Sequence, residues 1–356
     1  MYEFSFPTKV IFKKGIVEYI GEEIYKFCNE LPSPLAIVTV EEKWNEEFIE
    51  RIKVNLRGAG CKRVDIFRGV KPDPTRKYVN EGMKFCKLSN SKGVIAFGGG
   101  SVMDTAKVIA KEANINFLVT IPTTAGTGGE ISPWAVITNE KNQEKESLMA
   151  KFPDMALLDP CLTKSMPPKA TLLTGIDAFS HALESYLSKS AFSLTDALSL
   201  EAIQLIKKSL LSATREGKNL VARSTMLEGS LLAGMAMLHS GLGLVHAIAH
   251  PIGGLYYSNG LAHGYIIAHL LQSVTEFNKS ANLAKYQKVR DSLEIIKEII
   301  DKELFLKLGM TKIEIKEKDI HLLAKKSADN VNAFTNPRDF TLNDIEDIIR
   351  SSFKII

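Results

Sequence analysis

Side chains suited to metal binding are concentrated in two short segments of the second half of the chain. In TGIDAFSHALESYL, Asp177 and His181 stand four residues apart in a helical pattern, so their side chains project from one face. In GLGLVHAIAHPIGG, His246 and His250 repeat that spacing, and His263 follows in GLAHGYIIAHLL. A single histidine in an apolar segment is more often a hydrogen-bonded core residue. Together, however, these residues offer the oxygen and nitrogen donors that suit ferrous iron or zinc.

A glycine-rich segment in the first half is a candidate phosphate-binding turn. It comprises Gly98, Gly99, Gly100 and Ser101, follows the apolar run GVIAF and opens the amphipathic segment VMDTAKVIAKEA. Glycines let a backbone approach a phosphate closely, and the first turn of a helix offers free N–H groups. The spacing is not that of the G-x-G-x-x-G motif, so a plain tight connection between strand and helix is the alternative.

A second polar loop follows the next apolar run. The stretch IPTTAGTGGE, residues 121–130, places three threonines among three glycines. Its hydroxyl and N–H groups can donate to phosphate or ribose, although threonines also cap ordinary loops. Its position downstream of the glycine turn favours a binding role.

The hydrophobic pattern predicts the elements that must position these motifs. Before residue 160, apolar runs alternate with amphipathic segments, a βαβ rhythm that predicts a parallel sheet covered by helices. The runs are 35–40, 63–67, 93–97 and 117–121. Beyond Pro160, long helical patterns such as 197–213 and 283–304 take over. We therefore expect an α/β domain over residues 1–160 and an all-helical domain over residues 161–356.

Charge and cysteine content exclude several classes of function. The 45 Lys and Arg residues and the 41 Asp and Glu residues give a formal charge of +4 that is spread along the chain. Nucleic acid is therefore not an expected partner. The four cysteines form no metal or redox motif, and the N-terminus lacks a signal-peptide pattern, so we expect a cytoplasmic protein.

One uncharged segment raises the question of a membrane span, because no Asp, Glu, Lys or Arg lies between Glu228 and Glu276. The segment holds five of the seven histidines together with many glycines, and it has no continuous apolar run of about 20 residues. We therefore expect a buried, histidine-lined interior and no membrane partner.

An ordered series of motifs resembles the iron-containing, or group III, alcohol dehydrogenases, a superfamily that also holds glycerol dehydrogenases and dehydroquinate synthases. The series spans nearly the whole chain and consists of FPTKVIF, VKPDPT, GGGSVMDTAKVIA, IPTTAGTG, LLDPCLT, TGIDAFSHALESYLS, HAIAHPIGG and NPRDFT. The resemblance implies an N-terminal dinucleotide-binding α/β domain and a C-terminal helical metal-binding domain, the dehydroquinate synthase-like architecture. It also implies a homodimer or a larger homo-oligomer.

Matching the motifs position by position implies a set of site residues. The implied metal ligands are Asp177, His181, His246 and His263. His250 matches a histidine near the nicotinamide that is often proposed to relay the proton. The implied cofactor contacts are Asp73, Gly98, Gly99, Gly100, Ser101, Asp104, Thr123, Thr124, Thr127 and Lys145. His239 and His269 have no ligand counterpart and are expected in the core or behind the ligands, and His321 is expected at the surface.

Three features depart from the family pattern. Gly129 replaces the serine of a Gly-Ser-Glu sequence, so the loop is expected to hold the cofactor slightly differently. The stretch between His250 and His263 is longer than in familiar members. Val40, followed by two glutamates, stands where the family often has an aspartate that binds ribose and repels a 2′-phosphate. Loss of that aspartate favours NADP(H) slightly over NAD(H).

The expected function is an NAD(P)-dependent alcohol dehydrogenase or aldehyde reductase that acts on small alcohols or diols with Fe²⁺ or Zn²⁺. The ion would polarise the substrate oxygen, and His250 would accept the alcohol proton. The alternatives are a glycerol-dehydrogenase-like polyol oxidoreductase, a dehydroquinate-synthase-like lyase and a non-catalytic nucleotide- or metal-binding protein. His181 counts against the first, because such sites generally lack that histidine. The lack of Lys and Arg in 229–275 counts against the second.

Overall fold

The chain folds into two compact units. The computed structural model describes residues 3–140 and 144–356. Of these residues, 5–140 and Glu146–Met166 form the sheet unit, and 3–4, 144–145 and Pro167–Ile356 form the helical unit. The main part of the helical unit thus begins at Pro167 rather than at residue 161, because the 3₁₀ helix Pro160–Ser165 belongs to the sheet unit.

A parallel sheet forms the centre of the sheet unit. The strands described before residue 160 are β1 (Lys9–Phe12), β2 (Leu35–Val40), β3 (Val64–Val70), β4 (Gly93–Gly98), β5 (Phe117–Pro122), β6 (Trp134–Asn139), β7 (Glu144–Met149) and β8 (Met155–Leu158). Six of them form one parallel sheet in the order β1-β8-β5-β4-β2-β3, and β6 pairs with β7. The predicted parallel sheet is confirmed. The sequence pattern missed β1, β6, β7 and β8. Strands β1 and β8 hold only four residues each and give little periodic signal, whereas β6 and β7 are as long as β2 but mix polar with apolar residues.

Burial of β4 on both faces fixes the position of the glycine turn. The helices of the sheet unit are α1 (Ile20–Cys28), α2 (Glu46–Gly58), α3 (Arg76–Leu88) and α4 (Gly100–Glu112). Ile95 of β4 belongs to one apolar cluster and Val94 to another, so the strand is continuously apolar. Helix α4 starts directly after the strand, with Gly99 as its N-cap residue.

The helical unit agrees with the predicted helical domain. Its described α-helices are α5 (Pro168–Leu187), α6 (Ser193–Arg215), α7 (Leu220–Ser240), α8 (Leu244–Leu255), α9 (His263–Asn278), α10 (Leu283–Ile299), α11 (Ile320–Ala328) and α12 (Leu342–Ser352). The structure adds two short parallel strands, β9 (Glu314–Ile315) and β10 (Lys354–Ile355), which are too short for a detectable alternation. The helix predicted over 283–304 changes at Ile300 into a π-helix that ends at Lys307.

The uncharged segment between Glu228 and Glu276 forms much of α7, all of α8 and most of α9. Most of its residues are buried, as expected for a histidine-lined interior. Among the described residues, no single helix is long and apolar enough to cross a membrane. Helices α7 and α8 meet that criterion only when they are taken together, and the chain bends by 99° between them.

A glycine allows α9 to approach α5 closely. A Cβ atom on Gly264, the second residue of α9, would lie 2.8 Å from the carbonyl carbon of Leu173 and closer still to the carbonyl oxygen. Backbone atoms cannot rotate away from such a contact, so this approach requires glycine. Because His263 immediately precedes Gly264, the same contact sets the position of His263.

We expect Gly264→Ala to lower the free energy of unfolding by about 1–3 kcal/mol, the usual cost of overpacking a close contact. Gly58→Ala is the matched control, because a Cβ on Gly58 would meet no atom within 4 Å. Urea unfolding followed by circular dichroism compares the two variants with the parent protein. Parental stability of Gly264→Ala would show that α9 has room to move away from α5.

Candidate metal centre

Helix α5 carries three buried polar side chains on one face. Asp177, His181 and Glu184 are spaced by four and then three residues, which places them along one stripe of the helix. Each has only 5–6% of its surface exposed. Because burial of a charged or polar group is unfavourable without partners, the neighbours of these side chains determine what the site can do.

Three histidine nitrogens surround one oxygen of Asp177. The Nε2 atoms of His246, His181 and His263 lie 3.4, 3.7 and 3.8 Å, respectively, from Asp177 Oδ1. His246 belongs to the first turn of α8 and His263 is the first residue of α9, so three helices contribute. The candidate ligand atoms of Asp177, His181 and His246 all lie within 4.8 Å of one another. Groups at this spacing can share one cation.

The long stretch before His263 does not prevent this approach. After α8 ends at Leu255, the 3₁₀ helix Tyr257–Asn259 and the left-handed residue Gly260, with a φ of 62°, redirect the chain. Glycine adopts that conformation without strain. The side chain of His263 is 27% exposed, more than those of the other three residues, so His263 lies on the open side of the cluster.

The electrostatics of the cluster favour an ionised Asp177. Burial alone raises the pKa of its carboxyl group, but the imidazoles of His181, His246 and His263 lower it well below its usual range. Burial lowers the pKa of His246, whereas hydrogen bonds with Asp177 and Glu184 raise it to about 9. Burial lowers the pKa of His263 to about 3. A buried carboxylate among imidazole nitrogens fits a divalent transition-metal ion in both charge and donor type.

His250 lies beside this cluster. Its ring centroid is 5.2 Å from that of His263 and 6.1 Å from that of His246, which it meets edge-on. Its Nδ1 atom is buried and has no hydrogen-bond partner in the described part of the chain. Burial, together with the charges of His263 and His246, lowers the pKa of His250. A neutral imidazole with an unpartnered nitrogen can accept a proton.

Lys145 belongs to the helical unit. Its Nζ atom lies 3.4 Å from the position that a Cβ on Gly253 would take, one turn after His250. Its charge adds to the effect of burial in lowering the pKa of His250 and His263. The structure therefore places Lys145 near the histidines.

The other three histidines are outside the ligand cluster. His239 stacks on Phe4, with a distance of 4.1 Å between ring centroids. His269 is buried, and its pKa is lowered by that burial. His321 is exposed and pairs with Glu346 at 2.8 Å. These positions agree with their lack of a ligand counterpart.

Sequence reasoning did not identify Glu184 as a site residue. Its Oε2 lies 2.6 Å from Nδ1 of His246, and its Oε1 accepts a hydrogen bond of 2.6 Å from the backbone N–H of Val245. The signal was the spacing with Asp177 and His181 at positions i, i+4 and i+7. It was overlooked because a glutamate in a helix is ordinarily exposed to solvent.

In the sheet unit, the two glycine-rich loops lie against each other. A Cβ on Gly99 would lie 3.1 Å from Thr124 Cγ2, and a Cβ on Gly100 would lie 2.8 Å from Thr127 Cγ2. The absence of side chains therefore lets the threonine loop cover the start of α4. The region where these two loops meet also contains Gly98, Ser101 and Thr123.

The remaining two predicted cofactor residues of the sheet unit, Asp104 and Asp73, lie outside the two glycine-rich loops. Asp104 on α4 accepts a hydrogen bond of 3.0 Å from the N–H of Val136 and pairs with Lys107 at 3.0 Å. Its carboxylate therefore supports the start of β6. Asp73, in the turn before α3, has a φ of 52°, which is unusual for a residue other than glycine.

Comparisons with known proteins match both parts of the chain to one family. Residues 7–160 match the model described as iron-containing alcohol dehydrogenase, and residues 171–353 match the model described as Fe-containing alcohol dehydrogenase family, C-terminal. Together the two models cover most of the chain.

Relatives of known activity extend over the full length. The NAD-dependent methanol dehydrogenase of Bacillus methanolicus is 31% identical over 388 residues, covering 99% of this chain and 100% of the relative. The 1,3-propanediol dehydrogenase of Citrobacter freundii is 30% identical, with 99% of each chain covered. The crystal structure of a 1,3-propanediol oxidoreductase matches with a TM-score of 0.90 and 30% identity, covering 99% of this chain and 100% of that chain. The chain therefore belongs to the iron-containing alcohol dehydrogenase family, as its motifs predicted, and is a nicotinamide- and metal-dependent alcohol dehydrogenase.

Proposed function

We propose that the enzyme interconverts small alcohols or diols and their aldehydes at the cluster on α5, α8 and α9. The proposed ligands of a single Fe²⁺ or Zn²⁺ ion are Asp177, His181, His246 and His263. The main support is the presence of three imidazole Nε2 atoms 3.4–3.8 Å from Asp177 Oδ1. The substrate class is supported by relatives that are named for methanol and 1,3-propanediol.

In this proposal, His250 moves the proton. A divalent ion in such a site supplies Lewis acidity towards an alcohol or carbonyl oxygen. His250 accepts the alcohol proton at Nδ1, because the ring lies beside the cluster and this buried nitrogen has no partner among the described residues. A bound nicotinamide would supply the hydride acceptor that the oxidation of the alcohol to the aldehyde requires. In the reverse direction Nδ1 returns the proton.

We propose that the sheet unit is the dinucleotide-binding domain and that the helical unit is the metal-binding domain. The phosphates would bind at the start of α4, where free N–H groups and the helix dipole favour an anion. The proposed contacts are Gly98, Gly99, Gly100, Ser101, Thr123, Thr124 and Thr127, with Asp73, Asp104 and Lys145 completing the set. Assembly into dimers or larger oligomers stays a prediction from the resemblance.

We further propose that the enzyme accepts NADP(H) as well as NAD(H). Strand β2 pairs with β4 and ends at Val40, and an exposed glutamate, Glu41, follows. Arg68 on the adjacent strand β3 binds Glu46 through two hydrogen bonds of 3.2 and 2.8 Å. These bonds raise the pKa of the Arg68 guanidinium, and the negative charge of Glu41 raises it with a smaller effect. If the guanidinium of Arg68 releases Glu46 and binds the 2′-phosphate of the cofactor instead, this contact would favour NADP(H). Sequence reasoning missed this arginine because it lies on another strand.

The ligand set predicts which substitutions remove the metal. We expect the parent protein to hold about one metal ion per chain. Asp177→Ala and His181→Ala should each lose that ion. His321→Ala is the control, because that histidine is exposed and pairs only with Glu346 among the interactions described. Metal content after anaerobic reconstitution is measured by mass spectrometry, with circular dichroism to verify folding. Full occupancy in a folded Asp177→Ala variant would contradict the ligand set.

The proton-transfer role predicts a different result for His250→Ala. We expect turnover to fall by about 10²–10⁴-fold, the usual contribution of a general base, while the metal content stays at the parental value. Turnover and metal content are measured on the same preparation, with His321→Ala as the control. Loss of the ion would make His250 a ligand, and unchanged turnover would exclude it as the proton carrier.

The dinucleotide proposal predicts a change in cofactor preference. In Arg68→Ala, kcat/KM for NADP⁺ relative to NAD⁺ should fall about tenfold, the effect of losing a charged hydrogen bond of about 1.5 kcal/mol. Arg63→Ala is the control, because Arg63 lies just before the first residue of β3, whereas Arg68 lies near the last, and Arg63 pairs with Asp65. Steady-state kinetics with both cofactors gives the ratio. A parental ratio in Arg68→Ala would exclude a contact with the 2′-phosphate.

A further inference from the structure

Glu184 uses both of its carboxylate oxygens on the first turn of α8. Oε2 lies 2.6 Å from Nδ1 of His246, and Oε1 accepts from the N–H of Val245 at 2.6 Å. Glu184 is 5% exposed, so water does not compete for these bonds. One side chain on α5 therefore holds both the backbone of α8 and a candidate ligand on it.

The residue before α8 is a glycine because the carboxylate occupies the adjacent space. A Cβ on Gly243, the N-cap residue, would lie 2.8 Å from Glu184 Oε1 and 3.0 Å from Asn336 Oδ1. Asn336 Oδ1 accepts from the N–H of Leu244 at 3.2 Å. Two side chains from outside the helix thus bond the first N–H groups of α8, which an N-cap side chain would otherwise satisfy.

The bond to Glu184 also selects the tautomer of His246. A carboxylate only accepts hydrogen bonds, and both ring nitrogens of His246 face one. The contact at Nδ1 is 2.6 Å and the contact at Nε2 is 3.4 Å, so the hydrogen of a neutral ring lies on Nδ1, where the hydrogen bond is shorter. The lone pair is then on Nε2, which is the atom that lies 3.4 Å from Asp177 Oδ1. An imidazole binds a metal through its unprotonated nitrogen, and a partner at the other nitrogen fixes the ring orientation.

We propose that Glu184 is a positioning residue, which holds His246 in the Nδ1–H tautomer and directs Nε2 towards the metal. This proposal rests on the proposed ligand set. Glutamine cannot replace Glu184, because its amide has one acceptor oxygen where His246 and Val245 present two N–H donors. In Glu184→Gln, either the amide NH₂ faces the Val245 N–H, or it faces Nδ1 and moves the imidazole hydrogen to Nε2.

Binding of Co²⁺ alone tests the proposal without turnover. We expect Glu184→Gln to bind Co²⁺ about 10–100-fold more weakly than the parent, the usual effect of removing such a partner, in titrations followed by visible absorption. Glu303→Gln is the matched control, because Glu303 is also a buried glutamate of the helical unit but pairs with Arg215 and Lys307. It should bind Co²⁺ like the parent.

The tautomer is measured directly in the metal-free protein. Histidine labelled with ¹⁵N gives separate signals for protonated and unprotonated ring nitrogens, and the His246 signals are identified by their loss in His246→Gln. At alkaline pH the parent should show hydrogen on Nδ1, and Glu184→Gln should show it wholly or partly on Nε2. If Glu184→Gln does not fold, Gly243→Ala displaces the carboxylate without removing it and should weaken Co²⁺ binding in the same way.

The outcomes separate this proposal from the ligand set. Parental Co²⁺ affinity and the parental tautomer in Glu184→Gln would overturn the role of Glu184, even if Asp177→Ala loses the ion. Parental Co²⁺ binding in Asp177→Ala would instead overturn the ligand set. In that case the tautomer measurement, which needs no metal, still decides whether Glu184 orients His246.

Discussion

A carboxylate buried inside the helical unit is the constraint on which the rest of the site depends. Moving an ionised group such as Asp177 out of water costs several kcal/mol even after the surroundings relax. Three imidazoles offset that cost, and they come from α5, α8 and α9, so these helices must converge on a single oxygen atom. Gly264 and Gly243 stand at two points where this convergence leaves no space for a Cβ atom.

The histidines of this site are in different chemical environments. The environments differ because each ring has different neighbouring groups. His246 and His250 are one turn apart on α8, but Glu184 bonds only to the first of them. His246 is thereby fixed, whereas Nδ1 of His250 has no partner among the described residues. His263 is on the exposed side of the cluster. A fixed ring suits ligation and an unpartnered nitrogen suits proton transfer.

Contacts within one helix could be predicted from sequence, and contacts between elements could not. Backbone hydrogen bonding fixes the angle between residues four apart, so the shared face of Asp177 and His181 follows from spacing alone. The approach of His263 to the same oxygen depends on a turn and on the packing of α9 against α5, and only the family motifs indicated it. Arg68 was missed for the same reason, since Glu46 belongs to another element. Glu184 did share a helix face with Asp177 and His181, but it was overlooked because a glutamate in a helix is ordinarily exposed. Strands β1 and β8 were missed for a different reason, because four residues are too few to show a period.

The departure at Gly129 illustrates how a loop keeps its shape when a motif residue changes. The N–H of Gly129 donates to Thr127 Oγ1 at 3.2 Å, so the loop supplies its own hydroxyl acceptor. Lys107, which is fully buried, pairs with Asp104 on the same helix and donates to the carbonyl of Trp134, which ties α4 to β6. A Cβ at position 129 would lie 3.6 Å from Lys107 Nζ, an ordinary contact distance. The missing serine therefore removes a hydroxyl group near a buried ammonium, while the bond between Gly129 and Thr127 within the loop remains.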